Sequence, residues 1–228
     1  MGVNLPTRWD PTPQAARELQ ERLRARVECL RRTPQIATVA GVDCGIRDGH
    51  VRAAIAVYRY PELELVEAVT RERELRFPYI PGLLAFRELP AIEAAWAALR
   101  EPPDVLLVDG HGIAHPRRFG IASHLGVVVD RPSIGCGKSL LVGEHAPLGD
   151  ERGAREPLVD HGERIGLALR TRARVRPVYV SIGHRVDLEF AAEVVLACSI
   201  RYRLPEPVRH ADALASDRLT RRTARPSR

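Results

Sequence analysis

Four apolar residues in a row, Val105-Leu106-Leu107-Val108, run straight into Asp109 and a Gly110-His111-Gly112 loop. A run this short, with no polar alternation, reads as a strand buried on both faces. Covering both faces takes helices on either side of a sheet, so the chain is expected in the α/β class. Asp109 then emerges at the sheet's edge. Residues 132–138, Pro-Ser-Ile-Gly-Cys-Gly-Lys, read as a second buried strand, this one ending in Lys138.

The rest of the chain fits around such a sheet. Thr12 can cap and Pro13 can open a helix whose Ala16, Leu19, Leu23, Val27 and Leu30 form one apolar stripe. Residues 38–46 and 50–58 are two strands joined by Asp48-Gly49, a dipeptide suited to a tight hairpin turn. Residues 63–75 alternate apolar with charged side chains and read as a third strand with one wet face. A helix is expected over 82–100, with a break near Pro90, and another over 117–129. Two further strands are expected within 164–169 and 178–182. Asp187 should cap a helix reaching about Ser199, and Pro207 should open a last one through Ala215.

With 228 residues, 45% hydrophobic and 28% charged, the chain is large enough for one cored domain. We assign it to residues 1–217, followed by a mobile basic tail over 218–228 with five arginines. A net charge of +6 and a pI near 9.6 favour a polyanionic partner, nucleic acid ahead of a membrane surface. No apolar run spans a membrane and no signal peptide is apparent, so a cytoplasmic monomer is expected. The scattered Cys29, Cys44, Cys136 and Cys198 match no zinc pattern and read as buried thiols.

Asp43 sits among Val42, Cys44 and Gly45 in an otherwise apolar strand, where an ionised carboxylate is costly without a cationic partner. A metal ion and a strand-end salt bridge both answer that need. Asp109 follows the same logic, and Gly110 and Gly112 would let a nucleotide approach the backbone closely. Glu88 alone reads as a solvated helical glutamate, although it shares a face with Leu84. Lys138 is either a surface lysine or a phosphate ligand. His111, His115 and His124, with Arg117 and Arg118, are candidates for phosphate contacts, metal ligation being less suited to imidazole. His184 is assigned to ordering the loop before Asp187. In Phe77-Pro78-Tyr79-Ile80-Pro81-Gly82, two prolines stiffen an apolar tip. That tip either wedges between bases or packs its aromatic on the core.

Three segments together resemble the endonuclease V family: Val39-Ala40-Gly41-Val42-Asp43; residues 77–84 with Arg87-Glu88; and Val108-Asp109-Gly110-His111-Gly112 continuing to Arg118. Residues 134–139 and 202–209 extend the likeness over roughly positions 36 to 216. The resemblance implies a ribonuclease-H-like mixed sheet flanked by helices. It also implies a magnesium-dependent endonuclease, with Mn2+ as a substitute, that acts on deoxyinosine in DNA. Such an enzyme hydrolyses the second phosphodiester on the 3′ side, leaving a 3′-hydroxyl and a 5′-phosphate, and some members act on inosine in RNA. Carried over by motif, Asp43 and Asp109 bind the metal, Glu88 completes the acidic site and Lys138 contacts the phosphate. Asp212 is the candidate for a fourth acidic position. Tyr79, with Pro78, Ile80 and Pro81, becomes the wedge, and Gly82, Leu84, Gly110 and Ile121 line the base pocket. His115 is counted with the substrate contacts.

Two departures from the family pattern, Cys44 and Gly137, remove no charged group. The reading of the residues leaves open a nuclease directed at RNA inosine or at DNA structure, using the same metal site. A non-catalytic binder of damaged DNA is the other alternative.

Overall fold

The computed structural model describes residues 11–31 and 35–216, so the basic tail lies outside the described residues. Eight strands form one sheet in the order β3-β2-β1-β4-β5-β8-β7-β6. In chain order they are β1 (Thr38–Arg47), β2 (His50–Arg59), β3 (Leu65–Glu74), β4 (Val105–Val108), β5 (Ser133–Gly137), β6 (Arg155–Asp160), β7 (Glu163–Leu169) and β8 (Val178–His184). Among neighbouring pairs, β1–β4 and β4–β5 are parallel and the other five are antiparallel. This is the ribonuclease-H-like mixed sheet that the resemblance implied. The described residues form five helices, α1 (Pro13–Arg24), α2 (Leu84–Trp96), α3 (Ile121–Val129), α4 (Leu188–Ala197) and α5 (Glu206–Ala215).

The strand expected from the apolar run is β4, and all four of its residues are buried. Alternate side chains go to opposite layers: Leu107 joins the core with Val39, Val194 and Val208, while Leu106 and Val108 join Val42, Leu89, Ile92 and Leu125. The layers are therefore α4 and α5 on one face, α2 and α3 on the other. Thr12 caps α1, accepting from the Ala15 amide, and Asp187 caps α4, accepting from the Phe190 amide, both as expected. Asp48 and Gly49 take φ of 47° and 74°, the paired positive values that a two-residue hairpin turn demands.

Several boundaries differ from expectation. Helix α1 stops at Arg24, and Leu30 lies exposed beyond it. Helix α2 runs through Pro90 without a break; Leu89, Ala91, Ile92 and Ala95 are buried on both sides of it, and their packing holds the helix against the lost amide. Helix α3 begins only at Ile121, because Arg118 takes φ of 53° and closes a turn before it. Strand β3 is an edge strand with Leu65 and Val66 both more than half exposed, so its expected packed face is thin. Strand β6 was not anticipated: its Pro157 argues against a strand except at a sheet edge, which is where β6 lies.

Candidate active site

Three glycine-spaced positions on β1 set the site. Gly41, Asp43 and Gly45 point to the same face, and α5 lies directly on that face. A Cβ at Gly41 would collide with the backbone of Pro207 and Val208, and one at Gly45 with the carbonyl of Ala215. The missing side chains let the helix settle against the strand, which brings Asp212 over Asp43. Asp109 arrives at the neighbouring strand end because β1 and β4 are parallel, its amide donating to the Val42 carbonyl at 3.0 Å.

Lys138, one residue past the end of β5, extends into the middle of this group. Its ammonium pairs closely with Asp109 and lies 3.9 Å from Asp43 Oδ2 and 3.8 Å from Asp212 Oδ1. Asp43 Oδ1 also accepts from the Cys44 amide at 2.8 Å. Burial, then the charge of Asp109, raises the Asp43 pKa well above the usual carboxylate range despite Lys138. Asp109 is raised as well, chiefly by burial, with Lys138 opposing. Burial works against the Lys138 ammonium, yet the three aspartates outweigh it and raise its pKa. Glu88 comes from the opposite layer, on α2; burial and then the Asp109 charge push its carboxyl up to about 8. Asp43, Glu88, Asp109, Lys138 and Asp212 therefore meet where the central parallel strands β1, β4 and β5 end their pairing.

Among the described residues, no three His, Cys, Asp or Glu side chains are gathered tightly enough to cage an ion, and the positive charge between the aspartates belongs to Lys138. The donor set still suits a hard divalent cation: Asp43 and Asp109 would offer it carboxylate oxygens, and magnesium is ordinarily held by one or two carboxylates with waters and substrate phosphate completing its shell. The raised carboxyl pKa values, set first by burial, mark a cost of ionisation that a dication would relieve.

Beside the acidic group lies an apolar cleft of about 230 Å³, lined in part by Tyr79, Ile80, Pro81, Gly82, Leu84, Gly110, His115 and Ile121. Pro78 is not among its lining residues. Tyr79 stands 73% exposed at the rim, its ring 5.6 Å from the Arg87 guanidinium, so the aromatic does not pack on the core. Ile80 does turn inward, against a small cluster of Phe77, Leu83, Phe86 and Ala16. Gly82, at φ +78°, sits where an L side chain would be strained.

The carbonyl of Gly82 is the loop's anchor. It faces Arg117 Nη2 at 2.7 Å, Gln20 Nε2 at 3.1 Å and His115 Nε2 at 3.1 Å. Gln20, fully buried on α1, also donates to the Phe119 carbonyl and accepts from Arg117 Nε at 2.7 Å. The sequence reading took α1 for ordinary packing; a glutamine at a buried position of an amphipathic stripe was the signal available.

The phosphate role expected of the His/Arg segment is corrected in part. His124 is fully buried against Phe86 and Phe119, and burial pushes its pKa down to about 3. Arg118 is engaged with Asp160 and Glu163, and Arg117 with the Gly82 loop. His111 and His115 line the cleft, and burial followed by the Arg117 charge pushes His115 down to about 4. His184 accepts from the Glu28 amide at 3.2 Å, tying the segment after α1 to the end of β8 rather than serving the Asp187 loop alone. Cys136 and Cys198 are buried thiols as expected, whereas Cys29 is exposed.

An acidic cluster around a lysine at the carboxyl ends of parallel strands, next to a base-sized cleft, defines a hydrolytic nuclease on a ribonuclease-H-like fold. The endonuclease V family model matches residues 18–213, and the chain belongs to that family. Endonuclease V of Roseiflexus sp. (strain RS-1) is 56% identical over 208 residues, covering 91% of this chain and 94% of the relative. The crystal structure of endonuclease V from Streptomyces avermitilis superposes with a TM-score of 0.89 at 43% identity, covering 98% of this chain and all of that one. The Ciona intestinalis enzyme, solved with a 24mer DNA containing an inosine followed by a ribo-adenosine, gives 0.79 at 28% identity, covering 91% of this chain and 98% of that one. No described helix is long and apolar enough to cross a membrane.

Proposed function

We propose that the protein is a magnesium-dependent endonuclease that recognises deoxyinosine in DNA and hydrolyses the second phosphodiester on its 3′ side, leaving a 3′-hydroxyl and a 5′-phosphate, in DNA repair. One observation carries the reading. The Asp43, Asp109, Asp212 and Lys138 group lies beside an apolar cleft whose rim carries an exposed tyrosine. The family membership and the inosine bound by the Ciona relative support it.

Each side chain has a task in this reading. Asp43 and Asp109 would hold the magnesium ion, which when bound supplies charge neutralisation and an acidified water. Asp212, with Asp43 and Asp109, keeps Lys138 protonated and ready for the scissile phosphate, and Glu88 completes the acidic site from the opposite helical layer. Tyr79, stiffened by Pro78 and Pro81, fills the gap left by the extruded base, and the cleft receives that base. Ile80, packed inward, braces the wedge. The clamp on the Gly82 carbonyl keeps wedge and cleft in register.

The ribo-adenosine beside the inosine in the Ciona complex favours a second substrate, inosine followed by ribose. A panel of labelled strands tests both: inosine in duplex DNA, single-stranded DNA and RNA, with undamaged duplexes, flaps and junctions as controls. Magnesium-dependent nicking restricted to the inosine strands is expected. Equal cutting of undamaged flaps or junctions would replace this reading with a structure-directed nuclease, and tight inosine binding with no product would make it a binder.

A further inference from the structure

The turn between β7 and β8 carries Arg170-Thr171-Arg172-Ala173-Arg174-Val175-Arg176, four arginines at every second position. Because β8 is antiparallel to β5, with Gly137 opposite Tyr179, this turn stands at the same end of the sheet as Lys138. Since β8 pairs directly with β5 and β7 with β8, the turn spans one to two strand spacings from β5, about 5 to 10 Å.

The four arginines do different work. Arg170 is inward: its side chain is only 11% exposed, and its guanidinium donates to the carbonyls of Gly149, Val175 and Leu148, which braces the turn. Arg172, Arg174 and Arg176 are exposed, and no carboxylate among the described residues pairs with any of them. Arg174 is held at φ +60°, a conformation that an unbranched side chain adopts only at some cost. The strip continues toward the site. Arg172 Nη1 donates to the Arg201 carbonyl at 2.5 Å, Thr171 to the Arg203 carbonyl at 2.5 Å, and Arg203 Nη2 to the Lys138 carbonyl at 2.9 Å. The nearby acids are largely matched: Asp150 by Arg170, and Glu206 by Arg201. Glu151 is exposed and forms no ion pair among the described residues, which leaves one acid against three exposed guanidinium groups.

We infer that Arg172, Arg174 and Arg176, joined to Lys138 through Arg203, form a phosphate-tracking strip for the arm of duplex DNA that leaves the site on the β7–β8 side. The inference rests on the nuclease reading for its partner. A turn this close to Lys138 lies within reach of backbone phosphates only a few nucleotides from the scissile bond. A braced turn presenting unmatched guanidinium groups there suits a regular phosphate row.

The test is equilibrium binding of a labelled undamaged duplex across a salt series, for the wild type, for R172S/R174S/R176S and for the charge-preserving R172K/R174K/R176K. Each lost phosphate contact lowers the slope of log affinity against log salt by about 0.9, so the serine triple is expected to lose about 2 to 3 from the slope and the lysine triple to recover most of it. An unchanged slope in a folded serine triple overturns the inference. Should that triple fail to fold, R176S alone is read instead, with a loss of about 0.9 expected and no loss overturning the proposal. Wild-type nicking of the inosine duplex is scored separately. Nicking with an unchanged variant slope sinks the strip alone, whereas a changed slope without inosine nicking sinks the substrate assignment and leaves the strip standing.

Discussion

Acidification should destabilise this protein through His124 by an amount that the structure fixes. The ring is buried between Phe86 and Phe119 with centroid distances of 5.4 and 5.0 Å, and burial holds its pKa at about 3. An unfolded histidine titrates near pH 6.5. Below that value the unfolded chain binds a proton that the folded one refuses. The stabilisation is therefore complete above pH 6.5 and is lost as pH falls toward 3. At pH 5 the folded ring is neutral for any pKa below about 4, so the loss depends only on the unfolded value: about 1.5 pH units, or about 2 kcal/mol. Urea unfolding of wild type and His124→Leu at pH 7.5 and pH 5.0 isolates the effect. Subtracting the two proteins cancels the other titrations, including the opposite-signed contributions of Asp43 and Glu88. The pH-dependent drop should be about 2 kcal/mol smaller in the variant. Equal drops in both proteins would refute a buried neutral ring.

Three substitutions probe the architecture of the site. Gly45→Ala places a Cβ against the Ala215 carbonyl, so α5 must shift; we expect a loss of about 1 to 3 kcal/mol in thermal or urea unfolding, together with slower nicking as Asp212 moves. Gln20→Leu strips a buried donor from the Gly82 and Phe119 carbonyls and should cost about 1 to 3 kcal/mol, with inosine binding weakened more than binding of undamaged duplex by anisotropy. Tyr79→Ala removes an exposed ring, so stability should stay within about 0.5 kcal/mol while inosine-duplex affinity falls. Unchanged affinity would dismiss the wedge.

The parts of this structure that sequence exposes are those where local chemistry and tertiary environment agree. Val105–Val108 is apolar throughout because both faces are covered, and its closing aspartate marks the end of a central strand rather than an edge of the sheet. The Thr12 and Asp187 caps satisfy their own helices, so they are visible without any long-range contact. Elements held by distant partners are the ones missed. Pro90 ends a helix by local rules, but burial of Ile92 and Ala95 carries α2 through it. Strand β6 buries only Leu158 and is ordered by pairing with β7. The convergence of Asp43, Asp109 and Asp212 followed from the family motifs. Its structural cause, the Gly41 and Gly45 pair that seats α5, was present in the sequence but unread. The Gln20 clamp joins residues 62 and 97 positions apart, beyond any local pattern.

The central claim is that the acidic group around Lys138 cuts an inosine strand one nucleotide beyond the lesion. The most direct measurement maps the product of a 5′-labelled inosine duplex at nucleotide resolution, with magnesium and enzyme in excess, for wild type and for Asp109→Asn. We predict a single wild-type product ending in a 3′-hydroxyl at the second phosphodiester 3′ to the inosine, and no product from the variant. Cleavage at the inosine itself or at undamaged positions, or an undiminished product from Asp109→Asn, would contradict the account.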